Sequence, residues 1–416
     1  MTATPTVIEP RAPTAVSPAM IAVLVLVAIN LQVVAWTVVP PDYRIFLQPW
    51  YAHILSLGPV GAFAQPFANY TPPYLYLMAL GSLADPWVAP LTVLKIVSLA
   101  GTGFLAWSVA MLLKAAGVRR HWLGGAGVFV IPSAVTNGTF LMQCDGLWAG
   151  AAILAVAALL REDTLKAALW SGLAIAFKAQ AVFIAPVVIG AMIGLKAPRW
   201  HWLVPASVYA AAMAPAWAAG WPASDLATIY LRQAGHFDAA GNIANPWILL
   251  RNLMPDGGSG LYFAGYALAL AAAAWIAFRS ARTNAPQVML ALSLLSALAL
   301  PWLLPKMHER YFFLADIIAV ALALVMNDRR HWTIAFCIQA ASMLSIVGYL
   351  AQSHFPAMIG VPLSAIAVIL IARSPIGLFG RRAVPFFGMV PGFGLGLGRL
   401  RDPIQMFGRA IKRVKP

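Results

Sequence analysis

Residues 19–39 read AMIAVLVLVAINLQVVAWTVV and contain no charged side chain. A helix needs about 20 apolar residues to cross the hydrocarbon core of a bilayer, so this segment by itself predicts a transmembrane helix. The residues before it lack a compact basic region and a small-residue cleavage motif, which are typical of a signal peptide. We therefore expect residues 1–18 to be a short N-terminal segment and the first span to be retained.

The remainder of the chain continues this pattern. Of its 416 residues, 61% are hydrophobic and 10% are charged, whereas about a quarter of a soluble domain is charged. This composition excludes an ordinary soluble enzyme and leaves no stretch long enough for a separate soluble domain. We expect an all-α polytopic membrane protein whose transmembrane domain covers residues 19–373.

Apolar runs with polar flanks predict about twelve transmembrane helices. They lie near residues 19–39, 88–113, 121–136, 141–160, 165–177, 180–195, 201–219, 260–278, 285–304, 311–327, 331–350 and 356–373.

The basic residues predict which side of the membrane each loop occupies. The chain has 28 Lys and Arg against 13 Asp and Glu, a formal charge of +15. In a membrane protein such an excess reports cytoplasmic loops and contact with anionic lipids, so no nucleic-acid partner is expected. The N-terminal segment 1–18, the basic loops and the basic tail 374–416 share one side, which the positive-inside rule makes cytoplasmic. We expect anionic lipids to bind this tail.

Each predicted span moves the chain to the other side of the membrane. Counting the spans from a cytoplasmic start places two long segments, 40–87 and 220–260, outside. Within the first, the apolar run 74–83 is too short to cross a bilayer and is predicted to be a juxtamembrane or re-entrant helix. The run 46–57 has aromatic and aliphatic residues at helical spacing and is predicted to lie on the outer interface.

Ionisable residues outside the cytoplasmic loops gather at the outer ends of the predicted helices. Asp42 follows the first span, and Pro40 and Pro41 stiffen the chain that leads to it. A carboxylate at a partly desolvated interface is suited to taking a proton from a hydroxyl. The alternative is a loop aspartate paired with Arg44. Within the spans, Lys95 and Asp316 suggest a structural ion pair.

Residues 305–311 read PKMHERY and immediately precede the tenth predicted span. The N-terminus of a helix favours an anion, and Lys306, His308 and Arg310 add positive charge, so this stretch predicts a phosphate site. Lys178 lies between two short apolar segments and is costly there unless it meets an anion. For both sites the alternative is a cationic side chain that anchors a helix by snorkelling.

Two further polar residues, Gln143 and Asp145, lie at the outer start of the fourth predicted span. They are suited to recognising hydroxyl groups, or alternatively to capping that helix. Arg232 and Arg251 are weaker candidates in the second outer segment. Among the tryptophans, which mostly mark membrane interfaces, Trp50, Trp221 and Trp247 are candidates for stacking on a sugar ring.

These features, in this order, resemble bacterial members of the glycosyltransferase C superfamily related to the second mannosyltransferase of GPI-anchor synthesis. The features are Asp42, the stretch Tyr70-Thr71-Pro72-Pro73-Tyr74-Leu75-Tyr76, Gln143-x-Asp145, Lys178 and the stretch 306–311, and the likeness covers about residues 20–373. The stretch 308–310 also resembles the His-Glu-Lys stretch of the glucosyltransferases that build the dolichol-linked N-glycan precursor. Arg310 in place of lysine keeps the charge but changes the geometry.

The resemblance implies a hexosyltransferase of the bacterial plasma membrane. It would move a sugar, with inversion, from a polyprenyl-phosphate-linked donor to a hydroxyl of a glycan or lipid acceptor on the outer face. In this superfamily an acidic residue of the first outer loop is the catalytic base, a role that the resemblance gives to Asp42. Tyr43 stands where many members have a second acid, so neither a metal nor another cofactor is expected. We assign donor-phosphate binding to Lys306, His308, Arg310 and Lys178, and sugar or acceptor binding to Gln143, Asp145, Glu309, Tyr74, Trp50, Arg232 and Arg251.

Two other classes of protein stay open. A transporter or flippase of lipid-linked sugars would also have many spans, but transporters tend to show internal repeats and charges near the middle of the membrane, and no repeat is evident here. A polysaccharide polymerase would share the outer clustering of charges. A lipid-linked donor is consistent with the absence of a nucleotide-binding GxGxxG or P-loop motif from the sequence.

Overall fold

The computed structural model describes residues 17–236, 241–374, 376 and 378. This part of the chain is helical and contains no strand, which confirms the predicted all-α fold class. The helices are α1 (Pro18–Thr37), α2 (Gln48–Gly61), α3 (Pro72–Ser82), α4 (Pro90–Ala115), α5 (His121–Ala126), α6 (Pro132–Val135), α7 (Asp145–Leu159), α8 (Thr164–Phe177), α9 (Ala185–Gly194), α10 (Val204–Ala219), α11 (Ala223–His236), α12 (Pro246–Leu253), α13 (Tyr262–Ser280), α14 (Pro286–Leu303), α15 (Phe313–Met326), α16 (Arg329–Leu350) and α17 (Phe355–Ala372).

The predicted spans coincide with these helices. The span near 121–136 is divided into α5, a 3₁₀ turn and α6, and the span near 180–195 begins as a 3₁₀ turn that continues into α9. Six of the described helices are long and apolar enough to cross a membrane: α1, α4, α13 with its preceding turn, α14, α16 and α17. Four more segments are apolar but shorter. The chain is therefore a multi-pass membrane protein.

The segment after α1 forms a packed layer rather than an open loop. A π-helical turn (Tyr43–Leu47) leads into α2, which packs on α3, so both short helices predicted in residues 40–87 are present. Trp50, Tyr51 and Ile54 are buried between them, while Leu55 is exposed. Asp42 lies at the start of this layer, directly before the π-helical turn.

Helix α7 forms the centre of the bundle. Every one of its residues except Leu147 is buried, and it packs against α4 and α8. A Cβ atom on Gly146 would lie 2.6 Å from the carbonyl oxygen of Gly101, so glycine is what allows α4 and α7 to approach so closely. In contrast, Ala35 is the one fully buried residue of α1, which leaves most of that helix to face lipid.

Lys95 and Asp316 do not form the ion pair that the sequence suggested. The Lys95 ammonium instead donates to the backbone carbonyls of Ala35, Val38 and Thr139, at 2.9, 2.7 and 2.7 Å. The prediction of an ion pair was wrong because carbonyls at the C-terminus of a helix carry enough negative partial charge to hold a cation.

The predicted terminal segments fall almost entirely outside the described residues. This applies to the N-terminal segment 1–18 and to the basic tail 374–416, and with the tail to its predicted contact with anionic lipids.

Candidate functional site

A cavity of about 420 Å³ opens where the layer after α1 meets the starts and ends of several helices of the bundle. Its walls come from the start of α2 and the turn before it, from the loops before α3, α7, α12 and α15, from the junction between α8 and the following 3₁₀ turn, from α11, and from the end of α16. Seven residues that the sequence singled out line it: Asp42, Trp50, Gln143, Lys178, His308, Glu309 and Arg310.

Asp42 lies at the centre of the polar contacts in this cavity. Its side chain is 4% exposed and accepts three hydrogen bonds. Gln143 Nε2 and Arg310 Nη1 donate to Oδ2, at 2.7 and 2.8 Å, and the Tyr349 hydroxyl donates to Oδ1. The cation beside Asp42 is therefore Arg310, which lies 268 residues away in the chain, rather than the neighbouring Arg44 that the sequence offered as an alternative.

Arg310 joins two carboxylates. Its Nη1 contacts Asp42, and its Nε lies 3.2 Å from Oε1 of Glu309, which is itself buried. A planar guanidinium presents several N–H groups in fixed directions, so one side chain can serve both acids. The arginine is therefore held in place before any substrate binds.

Lys178 and Asp145 form a second buried ion pair. Lys178 has extended backbone (φ −160°) and ends α8, so it lies at the predicted junction of two short helices. Its ammonium is 2.6 Å from Oδ1 of Asp145, which also accepts from the Trp148 indole at 2.8 Å. The ammonium lies 5.2 Å from the centre of the Tyr70 ring, a cation–π distance. Lys178 thus lines the cavity with its counter-ion already in place.

A chain of hydrogen bonds fixes the orientation of Gln143. The Tyr70 hydroxyl donates to Oε1 of Gln143 at 2.8 Å, so the amide NH₂ must point towards Asp42. Burial raises the pKa of Tyr70, which keeps its hydroxyl protonated and able to donate. Sequence reasoning had assigned no role to Tyr70 itself, although the quoted stretch 70–76 contains it.

Tyr349 also contacts Asp42, and sequence reasoning missed it as well. It is the penultimate residue of α16, and its hydroxyl donates to Asp42. The available signal was a tyrosine at the end of a predicted span, on the same predicted side of the membrane as Asp42.

His308 lines the cavity as a neutral side chain. Burial lowers its pKa, although the Glu309 carboxylate, 3.9 Å away, opposes this shift. A neutral imidazole offers one N–H donor but no charge at neutral pH. The permanent cations among the described residues at this site are therefore Lys178 and Arg310, and they face three carboxylates, Asp42, Asp145 and Glu309.

Several predicted site residues lie elsewhere. Lys306 has a left-handed backbone (φ 61°) and is not among the described lining residues. Arg232 forms an exposed ion pair with Asp225 at 2.9 Å, and Arg251 lies on α12, away from the lining. Tyr74 is completely buried, and its hydroxyl donates to the Met142 carbonyl at 3.0 Å. Tyr74 therefore supports the turn that carries Gln143 rather than lining the cavity.

Of the three tryptophans considered for stacking on a sugar, Trp50 is the one that lines the cavity. Its ring centre is 5.3 Å from that of Tyr70. Trp221 is 1% exposed, and Trp247 is buried with its indole N–H donating to the Leu303 carbonyl. The expectation for Trp221 and Trp247 was wrong because both rings are used in packing.

The arrangement also bears on metal binding. In residues 17–236 and 241–374, no three His, Cys, Asp or Glu side chains converge in a way that could hold a metal ion. The carboxylates at the cavity already contact cations or hydrogen-bond donors of the protein itself. What the site offers a ligand is two fixed cations, a buried carboxylate and aromatic rings.

The fold is similar to that of ArnT from Cupriavidus metallidurans, whose crystal structure contains bound undecaprenyl phosphate. The superposition has a TM-score of 0.51 at 12% sequence identity, and it covers 86% of this chain and 77% of the ArnT chain. ArnT is a polytopic protein with the glycosyltransferase C fold, so the predicted resemblance is confirmed at the level of the fold. No family model matches the chain, and no curated protein shows significant sequence similarity to it.

Proposed function

We propose that the protein transfers a sugar from a polyprenyl-phosphate-linked donor to a hydroxyl of a glycan or lipid acceptor, on the outer face of a bacterial plasma membrane. One observation carries this proposal: a single cavity holds a buried carboxylate, Asp42, together with two fixed cations, Arg310 and Lys178. The fold supports it, since a protein of similar fold has been crystallised with undecaprenyl phosphate.

The chemistry requires one base and a site for an anion. The acceptor oxygen forms a bond to the anomeric carbon while the bond from that carbon to the phosphate oxygen breaks. The acceptor proton passes to Asp42, and the polyprenyl phosphate leaves with the electron pair. Because a phosphate is already a good leaving group, the carboxylate pair of a glycoside hydrolase is not needed. Attack from the side opposite the phosphate inverts the anomeric carbon.

Five other cavity residues have a place in this scheme. Arg310 and Lys178 stabilise the charge that develops on the departing phosphate, and the neutral His308 donates a hydrogen bond to it. The acceptor hydroxyl takes the position of one of the three donors that now contact Asp42. Gln143 orients this carboxylate, and the ring of Trp50 offers an apolar face to a sugar.

The direct test is transfer by the purified protein. We expect radiolabel to move from polyprenyl-phosphate mannose, glucose or arabinose into a crude lipid acceptor, and to stay on the donor with the Asp42→Asn variant. Label that remains on all three donors with the wild-type protein, in spite of measurable donor binding, would instead favour a transporter of lipid-linked sugars.

The proposed sidedness predicts a labelling pattern. Both native cysteines, Cys144 and Cys337, are buried, so they should react little, and the protein without an added cysteine gives the background. A membrane-impermeant maleimide should label Ser224→Cys, at an exposed position in α11, in intact cells. It should label Val118→Cys only after the cells are opened. Labelling of Val118→Cys from outside would reverse the topology.

A further inference from the structure

The proposed reaction makes no direct use of Lys95, a completely buried cation on α4. Its ammonium has three N–H groups, and the carbonyls of Ala35, Val38 and Thr139 accept from it at 2.7–2.9 Å, with the Phe140 carbonyl at 3.4 Å. Among the described residues no carboxylate pairs with it. Burying a lysine in a membrane protein costs free energy, which indicates that Lys95 has a function.

One side of this contact fixes the chain that carries Asp42. Ala35 and Val38 belong to the C-terminal end of α1, where the last carbonyls of a helix lack partners and a cation is favourable. Asp42 follows Val38 by four residues, and the intervening Pro40 and Pro41 restrict the backbone. Because Lys95 holds Val38 in place, it also determines the position of the Asp42 side chain.

The other side fixes the chain that carries Gln143, four residues after Thr139. In this turn the N–H groups of Leu141, Met142 and Gln143 donate back to the carbonyls of residues 136, 138 and 137, at 2.8, 2.8 and 3.0 Å. Met142 has left-handed backbone (φ 55°). A turn with this many internal bonds moves as a unit, so holding Thr139 also determines the position of Gln143.

We infer that Lys95 is a positioning residue that ties these two segments together and so sets the 2.7 Å hydrogen bond from Gln143 Nε2 to Asp42 Oδ2. The catalytic meaning of this inference rests on the proposed function. An apolar side chain of similar length would fill the same space, but it would leave several buried carbonyls without a donor and the two segments unconnected.

The kinetic test compares Lys95→Met, Lys95→Arg and Ser108→Ala. Ser108 is a buried polar residue of the same helix whose hydroxyl bonds only its own helix, at Phe104, so its loss controls for general damage to α4. We expect Lys95→Met to lower kcat by about 10- to 100-fold, since a displacement of about 1 Å has effects of this size, with the donor KM changed by less than about threefold. Lys95→Arg should recover most of the loss, and Ser108→Ala should behave as wild type.

A double-mutant cycle distinguishes positioning from a general loss of folded protein. If Lys95 acts through Gln143, Lys95→Met should cost little further activity in a Gln143→Ala background. Full additivity of the two effects on kcat would overturn the inference. If Lys95→Met does not fold, Lys95→Gln, whose amide still donates to one of the carbonyls, takes its place in the cycle.

Hydrogen exchange tests the same contact without any turnover. In Lys95→Met, amide protection should fall in both segments, 38–44 and 139–145, and it should stay unchanged in Ser108→Ala. Loss of protection in one segment alone, or in neither, would overturn the inference. If both segments loosen but the wild-type protein transfers no sugar, the proposed function fails while the role of Lys95 in joining the segments stands.

Discussion

Asp42→Asn should yield a folded protein that binds the donor but turns over about 10²- to 10⁴-fold more slowly, the usual cost of losing a general base. The structure explains why the variant should fold. An amide oxygen in the position of Oδ2 can still accept from Gln143 and Arg310, and the amide nitrogen in the position of Oδ1 can donate to the Tyr349 oxygen. What is lost is the capacity to take a proton.

The controls for this prediction are the two other buried carboxylates at the site. Asp145→Asn and Glu309→Gln remove acids that pair with Lys178 and Arg310, and we expect each to retain more turnover than Asp42→Asn. Single-turnover rates measured at saturating donor compare the chemical step directly. If Asp42→Asn keeps near-normal turnover while one of the controls abolishes it, the base has been misplaced. If all three variants stay active, the proposed mechanism is wrong.

Arg310→Ala should weaken binding of the lipid-linked donor by roughly ten- to a hundredfold. A hydrogen bond to a charged group contributes about 1.5–3 kcal/mol, which corresponds to this range. The change also removes the cation from Asp42 and Glu309, and breaking a buried ion pair is itself destabilising. Arg310→Lys is the companion variant: it keeps the charge but not the planar fork that reaches both acids, so donor affinity should fall between those of Ala and wild type.

Direct binding of polyprenyl phosphate, followed by the fluorescence of the cavity tryptophan Trp50, separates this effect from catalysis. Trp50→Phe identifies the part of the signal that comes from the cavity, and thermal unfolding establishes that each variant is folded. Wild-type affinity in a folded Arg310→Ala protein would place the phosphate elsewhere in the cavity, with Lys178→Ala as the next variant to measure.

Much of the fold was predictable because it depends on local sequence. The length of an apolar run determines whether a helix can span a bilayer, and this placed α1, α4 and α14 within a few residues. The shortness of two adjoining runs likewise placed Lys178 between two helices. These predictions required no knowledge of which helices are neighbours.

The partners within the site could not be predicted in the same way. Asp42 meets Gln143 and Arg310 across 101 and 268 residues, and such contacts depend on how the helices pack. In the loop before α15, the sequence assigned Lys306, His308 and Arg310 alike to the phosphate. Lys306 has left-handed backbone and does not line the cavity, whereas His308 and Arg310 do. Lys95 was misread because the sequence does not show that backbone carbonyls can serve as its partners.

The internal pairing of Arg310 with Asp42 and Glu309 has a consequence for the end of the catalytic cycle. On the proposed reaction, the leaving polyprenyl phosphate carries more negative charge than the donor and would be held more tightly by an isolated arginine. Here the two carboxylates compete with it for the same guanidinium. The two carboxylates that the protein supplies thereby favour release of the product from Arg310.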